Sequence, residues 1–157
     1  EFNKGLYFLI GKLALKLDKE EEAIESLQEA IALDEDYKEA ILLLTDVYEQ
    51  QQNYEEIVQF LTYIKKIGGA DPVYDWKLAT AYNELEQYER AKELFEDAYF
   101  HLQEDSSFLK EYGFFLIEEG ERERGTEILT KYTQLIPEDE ETIAFLERIH
   151  FSNEDEI

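Results

Sequence analysis

The chain has 157 residues, 39 of them Asp or Glu against 15 Lys or Arg, for a formal net charge of −24 at pH 7. That balance excludes the phosphate backbone of a nucleic acid and an anionic membrane surface as partners. The lack of Cys excludes a disulfide framework, a thiol nucleophile and a Cys-based zinc site, and two Pro and seven Gly are too few for a turn-rich β fold.

From the start, Glu1-Phe2-Asn3-Lys4 leads into a segment broken by Lys12, Lys16 and Asp18, unlike a signal peptide. A cytoplasmic location is therefore expected. No apolar run approaches the ~20 residues that span a bilayer. With no Met in the sequence, the chain is expected to be a fragment or a processed product, and residues 1–3 a leader or cloning remnant.

From Lys4 onward a period of 34 residues organises the chain into ungapped units 4–37, 38–71, 72–105 and 106–139. The seventh column of the unit holds Ile10, Leu44, Leu78 and Tyr112; the eighth holds Gly11, Thr45, Ala79 and Gly113. The twentieth holds Ala23, Ile57, Ala91 and Gly125, the twenty-fourth Leu27, Leu61, Phe95 and Leu129, and the twenty-seventh Ala30, Ile64, Ala98 and Tyr132. Positions 4, 7, 8 and 11 make one stripe of a first helix, and 20, 24 and 27 one stripe of a second. Small residues at the crossing let the two backbones approach, and neither helix can bury its stripe alone, so the pairs must stack. Ile57 and Ile64 in the second unit and Tyr132 in the fourth replace small residues and predict wider helix spacing there. Asp71-Pro72 predicts a helix start, Asn53 with Glu56 and Asp36 with Glu39 have capping-box spacing, and the acids after Pro137 suit a helix N-terminus. Residues 140–151 open a fifth unit without a second helix and are expected to cap the fourth. Residues 152–157 are expected to be an acidic tail.

This pattern resembles the tetratricopeptide repeat, most clearly in Tyr7, Ile10, Gly11, Ala23, Leu27 and Ala30 of the first unit and Leu78, Ala79, Tyr82, Ala91, Phe95 and Ala98 of the third. The resemblance implies an all-α fold, an α-solenoid in which antiparallel helix pairs wind into a right-handed superhelix. It also implies that the first helix of each pair lines the concave side, with positions 2, 5, 9 and 12 pointing into the groove.

On these positions the expected partner-binding groove contains Phe8, Lys12, Leu42, Asp46, Glu49, Val73, Trp76, Thr80, Lys110 and Phe114. Apolar anchors beside acids suit an extended or helical protein segment with hydrophobic anchors and basic residues. Trp76 is either the central anchor or a ring packed between neighbouring helices. The carboxylate clamp of chaperone-binding relatives has no match. The corresponding positions carry Phe8, Lys12, Leu43, Val73 and Lys77, or Leu42, Asp46, Lys77, Ser107 and Glu111.

No catalytic constellation, cofactor site or metal set is expected. His101 and His150 close helices, where a cation complements the dipole. Asp34, Asp36 and Glu39 lack the Gly and the loop of a calcium site, and Gly68-Gly69 lacks the Lys of a phosphate loop. The expected function is a non-catalytic protein–protein interaction scaffold, not an enzyme. The alternatives are a short-peptide receptor, or the repeat portion of a larger protein whose effector domain lies elsewhere. The first unit has no polar N-terminal cap, so self-association through that face is a further expectation.

Overall fold

The computed structural model describes residues 3–154; Glu1, Phe2 and the last three residues of the expected tail lie outside them. Nine α-helices and no strand occur among the described residues: α1 (Lys4–Lys16), α2 (Glu20–Leu33), α3 (Lys38–Gln50), α4 (Tyr54–Lys66), α5 (Pro72–Glu84), α6 (Tyr88–Tyr99), α7 (Ser106–Glu118), α8 (Arg122–Leu135) and α9 (Glu140–Glu154). The fold is an all-α solenoid. The first helices begin at residues 4, 38, 72 and 106, a constant step of 34.

The same step recurs in the backbone. The turn from first to second helix places Asp18, Gln52, Glu86 and Gly120 at positive φ. The residue after each donates its N–H five residues back, to the carbonyls of Ala14, Tyr48, Tyr82 and Leu116 respectively. This is the Schellman closure that satisfies the last carbonyls of a helix, and it reverses the chain in three residues. Three of the first helices, α1, α5 and α7, share a second device with α9. Asn3, Asp71, Asp105 and Asp139 lie 34 or 68 residues apart. Each accepts an N–H from the first turn, donated by Leu6, Val73, Phe108 and Thr142 respectively.

Two expected capping boxes do not form. Asn53 precedes α4 but its side chain takes no capping hydrogen bond, and α3 starts after Tyr37, which has no oxygen short enough to cap. Asp34 tightens the approach to α3 instead, its Oδ1 accepting from the N–H of Asp36 at 3.0 Å. At the other end α9 runs through Glu154, so residues 152–154 continue the helix rather than open the acidic tail.

The described residues form two compact units that divide between Leu94 and Phe95, inside α6. In the first, α2 packs on α1 and α3, and α4 on α3 and α5. Its core is built from Leu27, Ala30, Ile41, Leu44, Leu61 and Ile64, all with no exposed surface, and Ile57, also buried. A Cβ added to Gly11 would stand 3.0 Å from the Leu27 side chain, so α1 and α2 lie close along their length. In the next pair, Thr45 takes the glycine's place, Ile57 and Ile64 replace alanines, and α3 and α4 approach closely over a shorter stretch. The spacing expected from Ile57 and Ile64 is thus present.

In the second unit, α8 packs on α7 and α9. Phe95 stands at the centre of an aromatic cluster, with ring centroids 4.7 Å from Phe115, 5.6 Å from Tyr112 and 6.2 Å from Phe108. The widening expected from Tyr132 is absent, and α7 and α8 lie as close as α1 and α2. Gly113 and Gly125 set that distance, since a Cβ on Gly125 would be 2.9 Å from the Gly113 carbonyl oxygen. Tyr132 stands two turns further along α8, and its hydroxyl turns to Asp139 at 2.7 Å.

Candidate functional site

A column of one helix face is fixed by spacing: residues four apart in an α-helix stand above one another. Phe8 and Lys12 on α1, Leu42 and Asp46 on α3, Trp76 and Thr80 on α5, and Lys110 and Phe114 on α7 are such pairs. Glu49 stands one turn beyond Asp46, and Val73 one turn before Trp76. All the apolar members are half-buried. Phe8 and Leu42 rest on the core of the first unit with one side and leave the other accessible.

Charges connect these positions within the first unit. The Lys12 Nζ stands 5.0 Å from the centroid of the Phe8 ring, which also meets the Tyr37 ring at 5.2 Å. Lys77 Nζ lies 4.9 Å from the Trp76 ring and 3.3 Å from Glu49 Oε2, so it links α5 to α3. Such cation–π contacts contribute ~0.5–1 kcal/mol at accessible sites. The exposed Asp46 carboxyl is held above its ordinary value, first by desolvation and then by the charge of Glu49, with Lys77 opposing both. Thr80 donates its hydroxyl to the Trp76 carbonyl at 3.1 Å.

Lys110 and Phe114 belong to the second unit and have local partners there. Lys110 Nζ reaches Asp139 Oδ2 at 2.8 Å and stands 5.6 Å from the Tyr132 ring. Phe114 packs against Phe145 of α9, with centroids 5.2 Å apart. Asp139 also accepts from the hydroxyls of Tyr132 and Thr142 and from the Thr142 N–H. The Lys110 ammonium, followed by these donors, holds its carboxyl well below the usual range.

Four residues of these surroundings were not expected at the groove: Tyr37, Lys77, Asp139 and Phe145, although Lys77 was compared with a carboxylate clamp and Asp139 stands among the acids expected at a helix start. Asp139 carried a signal, because it shares its column with Asn3, Asp71 and Asp105. Tyr37 breaks that same column and so stood out as an exception. Lys77 and Phe145 are single events in columns of mixed chemistry, and nothing in their spacing distinguishes them.

The groups weighed for chemistry have other partners. Asp34 binds Lys4 at 2.5 Å, and that hydrogen bond, with the one from the Asp36 N–H, lowers its pKa. His101 is exposed just beyond α6, its ring 5.3 Å from Phe100, and His150 is exposed near the end of α9. Among the described residues no helix is long and apolar enough to cross a membrane.

Residues 72–139 match the family model of YpiA-like, C-terminal tetratricopeptide repeats, and residues 5–37 match that of the tetratricopeptide repeat. The TPR repeat-containing protein YpiA of Bacillus subtilis (strain 168) is 44% identical over 141 residues, which are 90% of this chain and 33% of YpiA. The chain thus spans about a third of that relative's length. Among solved structures, MamA (residues 41 to the end) from Desulfovibrio magneticus RS-1 superposes with a TM-score of 0.71 at 18% identity, covering 87% of this chain and 77% of MamA. YrrB, a TPR protein with an unusual peptide-binding site, superposes at 0.71 with 20% identity, covering 87% of this chain and 71% of YrrB. With its repeating helix pairs, its step of 34 residues and these matches, the chain belongs to the tetratricopeptide-repeat family.

Proposed function

We propose that the chain is a non-catalytic interaction scaffold, and that the first-helix face of its first unit holds a segment of a partner protein. The observation that carries this is the row of half-buried Phe8, Leu42, Val73 and Trp76, each accessible on one side, with Asp46 and Glu49 beside them. Partly buried apolar anchors ringed by charge are the composition of binding hot spots. A partner segment with apolar side chains spaced by a basic one fits this face. Its cation would meet Asp46 directly and compete with Lys77 for Glu49. Lys110 and Phe114 would present a similar, smaller surface in the second unit.

Paired capture from a lysate of the source cells, read by mass spectrometry, tests the proposal. One bait is the chain and the other carries Leu42→Ala and Trp76→Ala, with its helicity checked by circular dichroism. Truncating a central aromatic anchor costs ~2 kcal/mol or more, so a true partner is captured by the first bait and lost from the second. Equal capture by both contradicts the proposed face.

A second reading, a receptor for short free peptides, draws on the likeness to YrrB, described as having an unusual peptide-binding site. A third, the repeat portion of a larger protein, draws on the chain spanning 33% of YpiA.

A further inference from the structure

Beside its row of half-buried anchors, the first unit holds a cavity of about 350 Å³ between the last turn of α1, the turn that follows it and α3. Its walls come from two successive repeats of the chain. Leu15, Leu43 and Val47 make its floor, with Val47 buried and both leucines resting on the core. Asp18, Glu20 and Asp46 stand around that floor, against the single cation of Lys16. Glu20 is steadied by Gln51, whose Nε2 donates to its carboxylate at 2.7 Å. Neither Asp18 nor Asp46 joins a salt bridge among the described residues.

The next joint shows what such a place accepts. Stepping by 34 turns Leu15 into Glu49 and Leu43 into Lys77, and this pair meets at 3.3 Å between α3 and α5. The same step turns Asp18, Glu20 and Asp46 into the neutral Gln52, Tyr54 and Thr80. The second joint therefore fills its place from within, with one ammonium and one carboxylate to meet it. The first joint has the carboxylates and an apolar floor, but a leucine stands where the lysine would be. Among the described residues no three acidic groups stand close enough to hold a metal ion. Spaced carboxylates over an apolar floor suit an organic cation on a hydrocarbon stem instead, since such side chains lay the stem on apolar surface and keep the charge at the rim.

We propose, resting on the reading of the first-helix face as the partner-binding surface, that this cavity takes a lysine side chain of the partner segment. The methylene stem lies on Leu15, Leu43 and Val47, and the ammonium sits among Asp18, Glu20 and Asp46. Desolvation first, and then the charge of Glu49, already hold the Asp46 carboxyl above its ordinary range, with Lys77 opposing both. An ammonium beside it relieves both effects.

The test titrates Nα-acetyl-lysine methylamide into the whole chain, with isotope-labelled leucine and valine methyls read by NMR. The methyls of Leu15, Leu43 and Val47 should shift saturably. The norleucine analogue, which keeps a hydrocarbon stem and lacks the ammonium, should leave them in place. Asp18→Asn with Asp46→Asn should weaken the lysine analogue at least ~10-fold, the scale of coupling between close charge pairs. Asn tolerates the positive φ of residue 18, and circular dichroism confirms that the helices are retained. Leu43→Lys, which supplies the ammonium from within as in the next repeat, should abolish the shifts at Leu15 and Val47. Unmoved methyls, equal shifts from the norleucine analogue, or equal affinity in the double Asp→Asn variant overturns the cavity. Failure of the face itself is read separately, by capture from the lysate. A partner lost by Leu42→Ala with Trp76→Ala but fully retained by Asp18→Asn with Asp46→Asn overturns the cavity alone. Equal capture by the chain and by Leu42→Ala with Trp76→Ala overturns the face on which the cavity depends.

Discussion

Gly125 sits where α8 crosses α7, and the side chain of Ile117 and the carbonyl of Gly113 fill the space a Cβ would need. Two opposing effects meet at Gly125→Ala. Alanine favours the helix by ~1 kcal/mol, whereas forcing a methyl into a packed crossing costs ~1–3 kcal/mol. The Gly113 carbonyl is backbone and cannot rotate away, so the clash wins and the variant should lose ~1 kcal/mol or more in urea unfolding. A more stable variant would mean that the crossing has slack. Tyr74 makes a second prediction at this scale. Burial, then the charges of Asp71, Asp36 and Glu39, push its phenol from the usual 10 up to about 12. A raised folded pKa means that the neutral phenol's contribution is complete below pH 10 and is lost as pH rises toward 12. The chain should therefore lose stability across that window more steeply than Tyr74→Phe, which has no phenol to ionise. Parallel alkaline limbs would show that the unfolded and folded phenols titrate alike.

Helices and their joints were legible wherever a column repeats chemistry. The Gly and Ala crossings, the Leu and Phe fillers and Asp71-Pro72 all follow from spacing and propensity, and they locate both stripes of each pair. Single exceptions were harder. Ile57 widened its pair as its volume suggests, while Tyr132 did not, because two glycines elsewhere on α7 and α8 set the distance. Asn53 has a capping residue type but no capping bond, since the preceding Schellman turn at Gln52 already organises that chain reversal. The joint of α7, α8 and α9 is built on Asp139, whose carboxylate collects Lys110, Tyr132 and Thr142. Its lowered pKa gives the sign: the stabilisation is present above the ordinary carboxylate value near ~4 and is lost as pH falls below it. Asp139→Asn should therefore be less stable than the parent at neutral pH, and the gap should close in acid. A gap that stays constant from neutral pH into acid would mean that shape and neutral hydrogen bonds, not charge, hold the joint.

For the molecule as a whole, cations are scarce, and several bridge successive segments: Lys4 to Asp34, Lys38 to Asp71, Lys65 to Asp75, Lys77 to Glu49 and Lys110 to Asp139. Exposed pairs of this kind contribute little each, so packing of the stripes carries the fold. The candidate site was legible only as columns of a helix face. Which members stay accessible depends on contacts such as Tyr37 on Phe8, Lys77 on Trp76 and Phe145 on Phe114, which spacing does not encode. The most direct test of the proposed binding face is photo-crosslinking from two positions of the first unit. Benzoylphenylalanine replaces Trp76 on α5 in one protein and Tyr63, an exposed residue of α4, in the other. In a lysate of the source cells, the probe at Trp76 should yield a defined protein adduct that the probe at Tyr63 does not. An adduct from Tyr63 alone, or the same adduct from both, would contradict partner binding on the first-helix face.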